Sequence, residues 1–88
     1  MFESVTVLSR IYERHPDINE EDVLSAVRNP RAVRRRNFDP PCHFAMAGPD
    51  TKGRMVEIVG VEDDRGGLIV YHAMKLTDKM AKELELMG

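Results

Sequence analysis

Three groups of side chains in this 88-residue sequence could do chemistry together: a histidine and a glutamate in neighbouring apolar runs, and a block of arginines. His72 lies within Leu68-Ile69-Val70-Tyr71-His72-Ala73-Met74-Lys75, where strict alternation puts it on one face with Leu68, Val70 and Met74. Glu57 lies in the preceding run, flanked on its own face by Met55, Val59 and Val61. If the two runs pair as a hairpin with Val61 opposite Leu68, Glu57 comes to face His72. A slip of one residue would send the two groups to opposite faces. An acid–histidine pair beside cations suits metal-independent RNA cleavage. One group removes the 2′-hydroxyl proton, another protonates the leaving oxygen, and Arg or Lys stabilises the charged phosphorus intermediate. The competing reading of His72 is a structural histidine whose ring nitrogens are satisfied within the sheet.

Arg34, Arg35 and Arg36 follow Pro30 in a stretch that reads as a strand. Alternation then places Arg34 and Arg36 on one face and Arg35 on the other. On an uncovered face this pair could contact RNA phosphates, or an acidic protein partner. Otherwise it is a charged edge that blocks strand-to-strand aggregation. The remaining histidines carry less. His15 precedes Pro16 at a helix end, and His43 beside Cys42 has no further ligand at metal spacing, so neither metal nor cofactor is expected.

These residues need elements to hold them. The spacing of Val5, Leu8 and Tyr12, with Val7 and Ile11 beside them, predicts a helix over residues 4–14, stopped by Pro16. A second helix starts at an Asn19 cap with Glu20, Glu21 and Asp22 in its first turn, buries Val23, Leu24, Ala26 and Val27, and ends at Asn29-Pro30. Strands are predicted over residues 31–37, 43–47, 54–62 and 68–75. Gly48 to Gly53 and Asp63 to Gly67 serve as turns. Thr77 caps a last helix with Met80, Ala81, Leu84 and Met87 on one face. The expected fold class is α+β, a single domain over residues 1–88 in which the helices, two N-terminal and one C-terminal, pack on one face of a four-stranded antiparallel sheet.

Composition narrows the function classes. Thirteen bases against fifteen acids leave a net charge of −2, which argues against a surface that grips nucleic acid everywhere. The distribution is uneven, however. Residues 1–30 are net −3, residues 31–60 net +3 and residues 61–88 net −2, so any such contact is confined to one region. The longest apolar runs are four or five residues, far short of a membrane span, and the opening MFESVTVLSR has no apolar signal core. With one cysteine no internal disulfide can form, and a reducing cytoplasm is the expected setting.

Two segments carry a family resemblance. Gly48-Pro49-Asp50-Thr51-Lys52-Gly53-Arg54-Met55-Val56-Glu57-Ile58-Val59, followed by Val70 to Leu76, is similar to the strands of BrnT-like toxins in the RelE/ParE-like superfamily. There a "GRLLEVV" strand precedes one ending in "IHAM" or "ISAR". Ile18 to Pro30 resembles their "EEDVLxAxRNP" helix. The resemblance covers about residues 10–80 and implies the toxin of a type II toxin–antitoxin pair. Such a protein cleaves mRNA without a metal and is neutralised by a small DNA-binding antitoxin, often of ribbon-helix-helix type. Carried onto this sequence, it assigns catalytic roles to His72, Glu57 and Arg54. The arginine of "SAR" falls at Met74, with Lys75 and Lys79 the nearest cations. Lys75 joins the catalytic group, while Arg34, Arg36, Lys52 and Lys79 are expected to touch RNA. The reading from another class is a non-catalytic binding module with a toxin-like fold, which joins an antitoxin-like protein or forms a homodimer through the basic strand.

Overall fold

The computed structural model describes residues 2–37 and 39–86. Its elements are β1 (Val5–Val7), α1 (Arg10–Arg14), α2 (Glu20–Arg28), β2 (Ala32–Arg35), β3 (His43–Pro49), β4 (Met55–Glu62), β5 (Leu68–Lys75) and α3 (Asp78–Glu83). The strands form one sheet in the order β1-β5-β4-β3-β2. The class is α+β, as expected, but the sheet has five strands and is mixed.

The difference comes from the first segment. Val5, Thr6 and Val7 are three successive β-branched residues, stiff at χ1 and better suited to a pleated strand than to a helix. They pair with β5, Val5 opposite Leu68 and Val7 opposite Val70, and the pairing is parallel. Only residues 10–14 of the expected 4–14 helix are helical. Strand β2 is likewise shorter than the expected 31–37, and β3 runs on through Gly48 and Pro49, which were expected in a turn. The turn proper, Thr51 to Gly53, is pinned by Asp50, whose carboxylate accepts from the amides of Lys52 and Arg54 and from Arg54 Nε.

Helix α2 starts where its cap predicts. Asn19 Oδ1 accepts from the Asp22 amide, and Asp22 Oδ2 accepts from the Asn19 amide, a reciprocal pair that satisfies two otherwise orphaned donors. The helix lies so close to β3 that a Cβ on Gly48 would collide with the Ala26 carbonyl oxygen. Against α1 and α2 the sheet packs Phe44, Met46, Val56, Ile58, Leu68, Val70 and Ala73.

The expectation that the helices share one face is corrected. Helix α3 lies on the opposite face, where Met80 and Leu84 meet Ala45, Ala47 and Val59. The two alanines bury little themselves, so this second layer is thin. The two large α3 side chains contribute about 1.5–3 kcal/mol each by burial. Met87, expected on the same helix face, lies outside the described residues. Among the described residues no helix is long and apolar enough to cross a membrane.

Candidate active site

Strands β4 and β5 begin their pairing in one register and finish it in another. Near the turn Glu62 faces Leu68, Val61 faces Ile69 and Gly60 faces Val70. Beyond it Val59 faces His72, Ile58 faces Ala73 and Glu57 faces Met74. Tyr71 is the extra residue, a β-bulge. The expected pairing of Val61 with Leu68, which put His72 opposite Glu57, is therefore corrected. So is the expectation that His72 shares a face with Leu68 and Val70: those two lie in the core under α1 and α2, and His72 is on the α3 face. Had the register of the turn continued, Ile58 would face His72 and the ring would point into the helical core. The bulge restores the parity, and Glu57 and His72 meet on a diagonal, Nε2 to Oε2 at 2.8 Å.

The carboxylate of Glu57 is held on its other side as well. Thr77 donates to Oε1 through its amide at 2.8 Å and its hydroxyl at 2.6 Å. Burial alone would raise the Glu57 pKa. The Thr77 hydroxyl, the His72 ring and the Thr77 amide together outweigh it and hold the carboxyl below its ordinary range. Glu57 is thus the anion of the pair, and Nε2–H of His72 is the donor. Nδ1, on the other side of the ring, has no hydrogen-bond partner among the described residues. The Glu57 side chain is 6% exposed and that of His72 is 35% exposed, so the acid is enclosed and the imidazole is open.

His72 opens into a cavity of about 430 Å³ whose floor includes Glu57, Val59 and Tyr71, and whose walls carry Arg10, Arg14, Arg36 and Lys79. Tyr71 stands beside His72 on this side because of the bulge, with its hydroxyl 3.0 Å from His43 Nδ1. Arg36 closes one wall in a two-point pair with Glu83, at 2.9 Å and 2.8 Å. The Glu83 hydrogen bonds and charge raise the Arg36 pKa further, and the same contacts hold Glu83 below its ordinary value. Four cations against two carboxylates make the cavity positive in a chain that is net negative.

The other expected site residues are elsewhere. Arg34 shares the face of Arg36, as alternation requires, but donates to the Glu83 carbonyl at 3.1 Å and does not line the cavity. Arg54 is bound to Asp50 at 2.7 Å, and with Lys75 it lines a separate depression of about 120 Å³ that includes Asp17 and Asp50. Lys52 is exposed on the turn before β4. Of the eight expected residues, the cavity gathers His72, Glu57, Arg36 and Lys79. Arg10, Arg14, Tyr71, Thr77 and Glu83 were missed. The four-residue spacing of Arg10 and Arg14 was visible, but with β1 read as helix nothing showed where they would face. Among the described residues no three His, Cys, Asp or Glu side chains are grouped to hold a metal.

Comparison of the chain with protein-family models, with curated proteins and with solved structures finds no match.

Proposed function

We propose that this protein cleaves single-stranded RNA by a metal-independent transesterification centred on His72. The observation that carries the reading is the 2.8 Å contact between His72 Nε2 and a buried, ionised Glu57, with the other face of the ring open to a cationic cavity. His72 Nδ1 takes the 2′-hydroxyl proton. The 2′-oxygen–phosphorus bond forms as the phosphorus–5′-oxygen bond breaks, and the 5′-oxygen leaves with a proton from solvent in the open cavity. Glu57 orients the ring and stabilises the imidazolium, as a buried carboxylate does in other acid–histidine pairs. The cavity cations stabilise the phosphorane charge. Arg54 and Lys75 have no part in this step, because they line a different depression.

The resemblance to BrnT-like toxins extends the proposal to biology: a cytoplasmic toxin held inactive by a small DNA-binding antitoxin. The test uses purified protein in excess EDTA with end-labelled single-stranded RNA. The expected result is fragments ending in 2′,3′-cyclic phosphate, lost in His72→Ala and reduced in Glu57→Gln. Growth arrest on induced expression should follow the same order. RNA cutting that survives His72→Ala overturns the mechanism. The second reading, a binding module without catalysis, is favoured by one observation: β2 is an edge strand of the sheet and exposes Val33, an apolar side chain, at 40%. It predicts intact RNA in the same assay and a protein complex that is insensitive to His72→Ala.

A further inference from the structure

We propose that Arg10 and Arg14 form a phosphate-anchoring subsite for a single nucleic-acid strand, one helical turn apart at the rim of the His72 cavity. The proposal deepens the cleavage reading, on which it relies only for what happens to the strand after it is held.

Placement comes first. Because β1 runs parallel to β5, the chain leaves β1 heading toward the end of β5 that carries Tyr71 and His72. The Leu8 amide still bonds the Val70 carbonyl at 3.1 Å, and α1 begins two residues later. Ile11 is the buried residue of α1 and enters the core. Arg10 and Arg14, four apart and so on one side of the helix, line the cavity instead.

The charge accounting then separates these two from the other cations. Both oxygens of Glu83 occupy Arg36, and the Lys79 charge also acts on Glu83. Glu57 is committed to His72 and Thr77. Among the described residues neither Arg10 nor Arg14 has a salt bridge or a side-chain hydrogen bond. Like charges at this spacing disfavour a helix, and α1 is only five residues long. Two planar guanidinium forks facing an open cavity without counterions suit phosphate oxygens.

The ligand class follows from what the cavity brings together, since the two arginines and the dyad line the same space. A lone phosphate could occupy the arginines or the dyad. A strand with successive phosphodiesters reaches both, and Tyr71 on the floor offers a ring on which a base can stack. Phosphate and base-stacking contacts of this kind do not require a 2′-hydroxyl, so a deoxy strand should bind and remain uncut.

The experiment is fluorescence anisotropy with a labelled single-stranded deoxyoligonucleotide over a range of salt concentrations. Wild type is compared with the Arg10→Ala/Arg14→Ala double variant, the Arg10→Lys/Arg14→Lys double variant and Arg28→Ala, whose site lies outside the cavity. At roughly 0.7 per phosphate contact on a single strand, the slope of log K against log salt should fall by about 1.4 in the alanine variant. It should be restored by lysine and unchanged in Arg28→Ala. An unchanged slope in the alanine variant, no binding by wild type, or tighter binding of a duplex of equal length overturns the proposal. The cleavage reading stands or falls separately. Deoxy-strand binding that depends on Arg10 and Arg14, without any RNA cutting, keeps the subsite and removes the reaction. RNA cutting with an unchanged KM in the alanine variant does the reverse.

Discussion

Thr77 donates its backbone amide and its hydroxyl to the same oxygen of Glu57, Oε1, while its hydroxyl oxygen accepts from the Met80 amide at 3.2 Å as the N-cap of α3. One side chain thereby ties the start of a helix to the acid of the dyad. Thr77→Val keeps the shape and removes the hydroxyl. It should lower stability by about 1–2 kcal/mol in urea denaturation, through the lost cap and the weakened carboxylate shell. RNA cleavage should fall as well, and Thr77→Ser should recover most of both. Full activity in Thr77→Val would show that Glu57 is oriented without it.

The buried acids set a pH dependence with a definite sign. Asp22, Asp50 and Glu57 are all nearly enclosed. In each, burial alone would raise the pKa, and hydrogen bonds reverse it: from Thr51 and Asn19 at Asp22, and from the Arg54 and Lys52 amides and the Arg54 side chain at Asp50. A carboxyl with a depressed folded pKa contributes its full stabilisation above its ordinary value, 3.8 for Asp and 4.5 for Glu. That contribution is lost as pH falls from there through the folded value. Thermal midpoints should therefore be level from pH 7 to 5 and drop steeply between pH 4 and 2, on the order of the shift carboxylates of this kind give. Asp50→Asn should flatten the drop, and a midpoint that holds at pH 2 would contradict the assignment.

Glu83 competes for a cation that a nucleic-acid phosphate could use. Glu83→Gln weakens the pair with Arg36, which is partly exposed, so the stability cost should stay under about 1 kcal/mol. The freed guanidinium should tighten binding of the single-stranded oligonucleotide and steepen its salt slope by roughly 0.7. Binding that is unchanged or weaker in Glu83→Gln would show that Arg36 does not face the strand.

Gly60 stands at the register change. A Cβ there would fall 2.9 Å from the Ile69 carbonyl oxygen and 2.8 Å from Leu68 Cδ1. Gly60→Ala should cost about 1–3 kcal/mol as an overpacking change. Because it strains the bulge, it should reduce cleavage by more than the folded fraction explains. Activity per folded molecule equal to wild type would separate the glycine from the dyad.

Sequence reasoning located α2 well because its cap, its acids and Asn29-Pro30 all agree with a four-residue apolar stripe. It failed at Val5 to Val7, where apolar spacing fits helix and strand alike and only the partner strand decides. The pairing of Glu57 with His72 was legible as a same-face relation, though through the wrong register. The alternation rule has no mark for a bulge, and two errors of one residue each cancelled in parity. Arg54 was misplaced because spacing along a strand does not show that Asp50, in the preceding turn, already engages it. Arg10 and Arg14 could not be assigned, since their position depends on a parallel contact with a strand some sixty residues away.

The extra residue at Tyr71 also bears on which length changes the hairpin can survive. The two strands read in one phase near their turn and in another near the cavity, and Tyr71 is where the phase changes. An insertion in the Asp63 to Gly67 turn lies outside both phases and can loop out into solvent. A single-residue insertion between Tyr71 and Ala73 would carry every later side chain to the other face if the ladder stayed straight. Deleting Tyr71 would leave the later pairs as they are, and would cost the cavity only its ring. Variants of this chain that keep the dyad should therefore tolerate a gap at Tyr71 and a long turn before Leu68, yet none at Ala73.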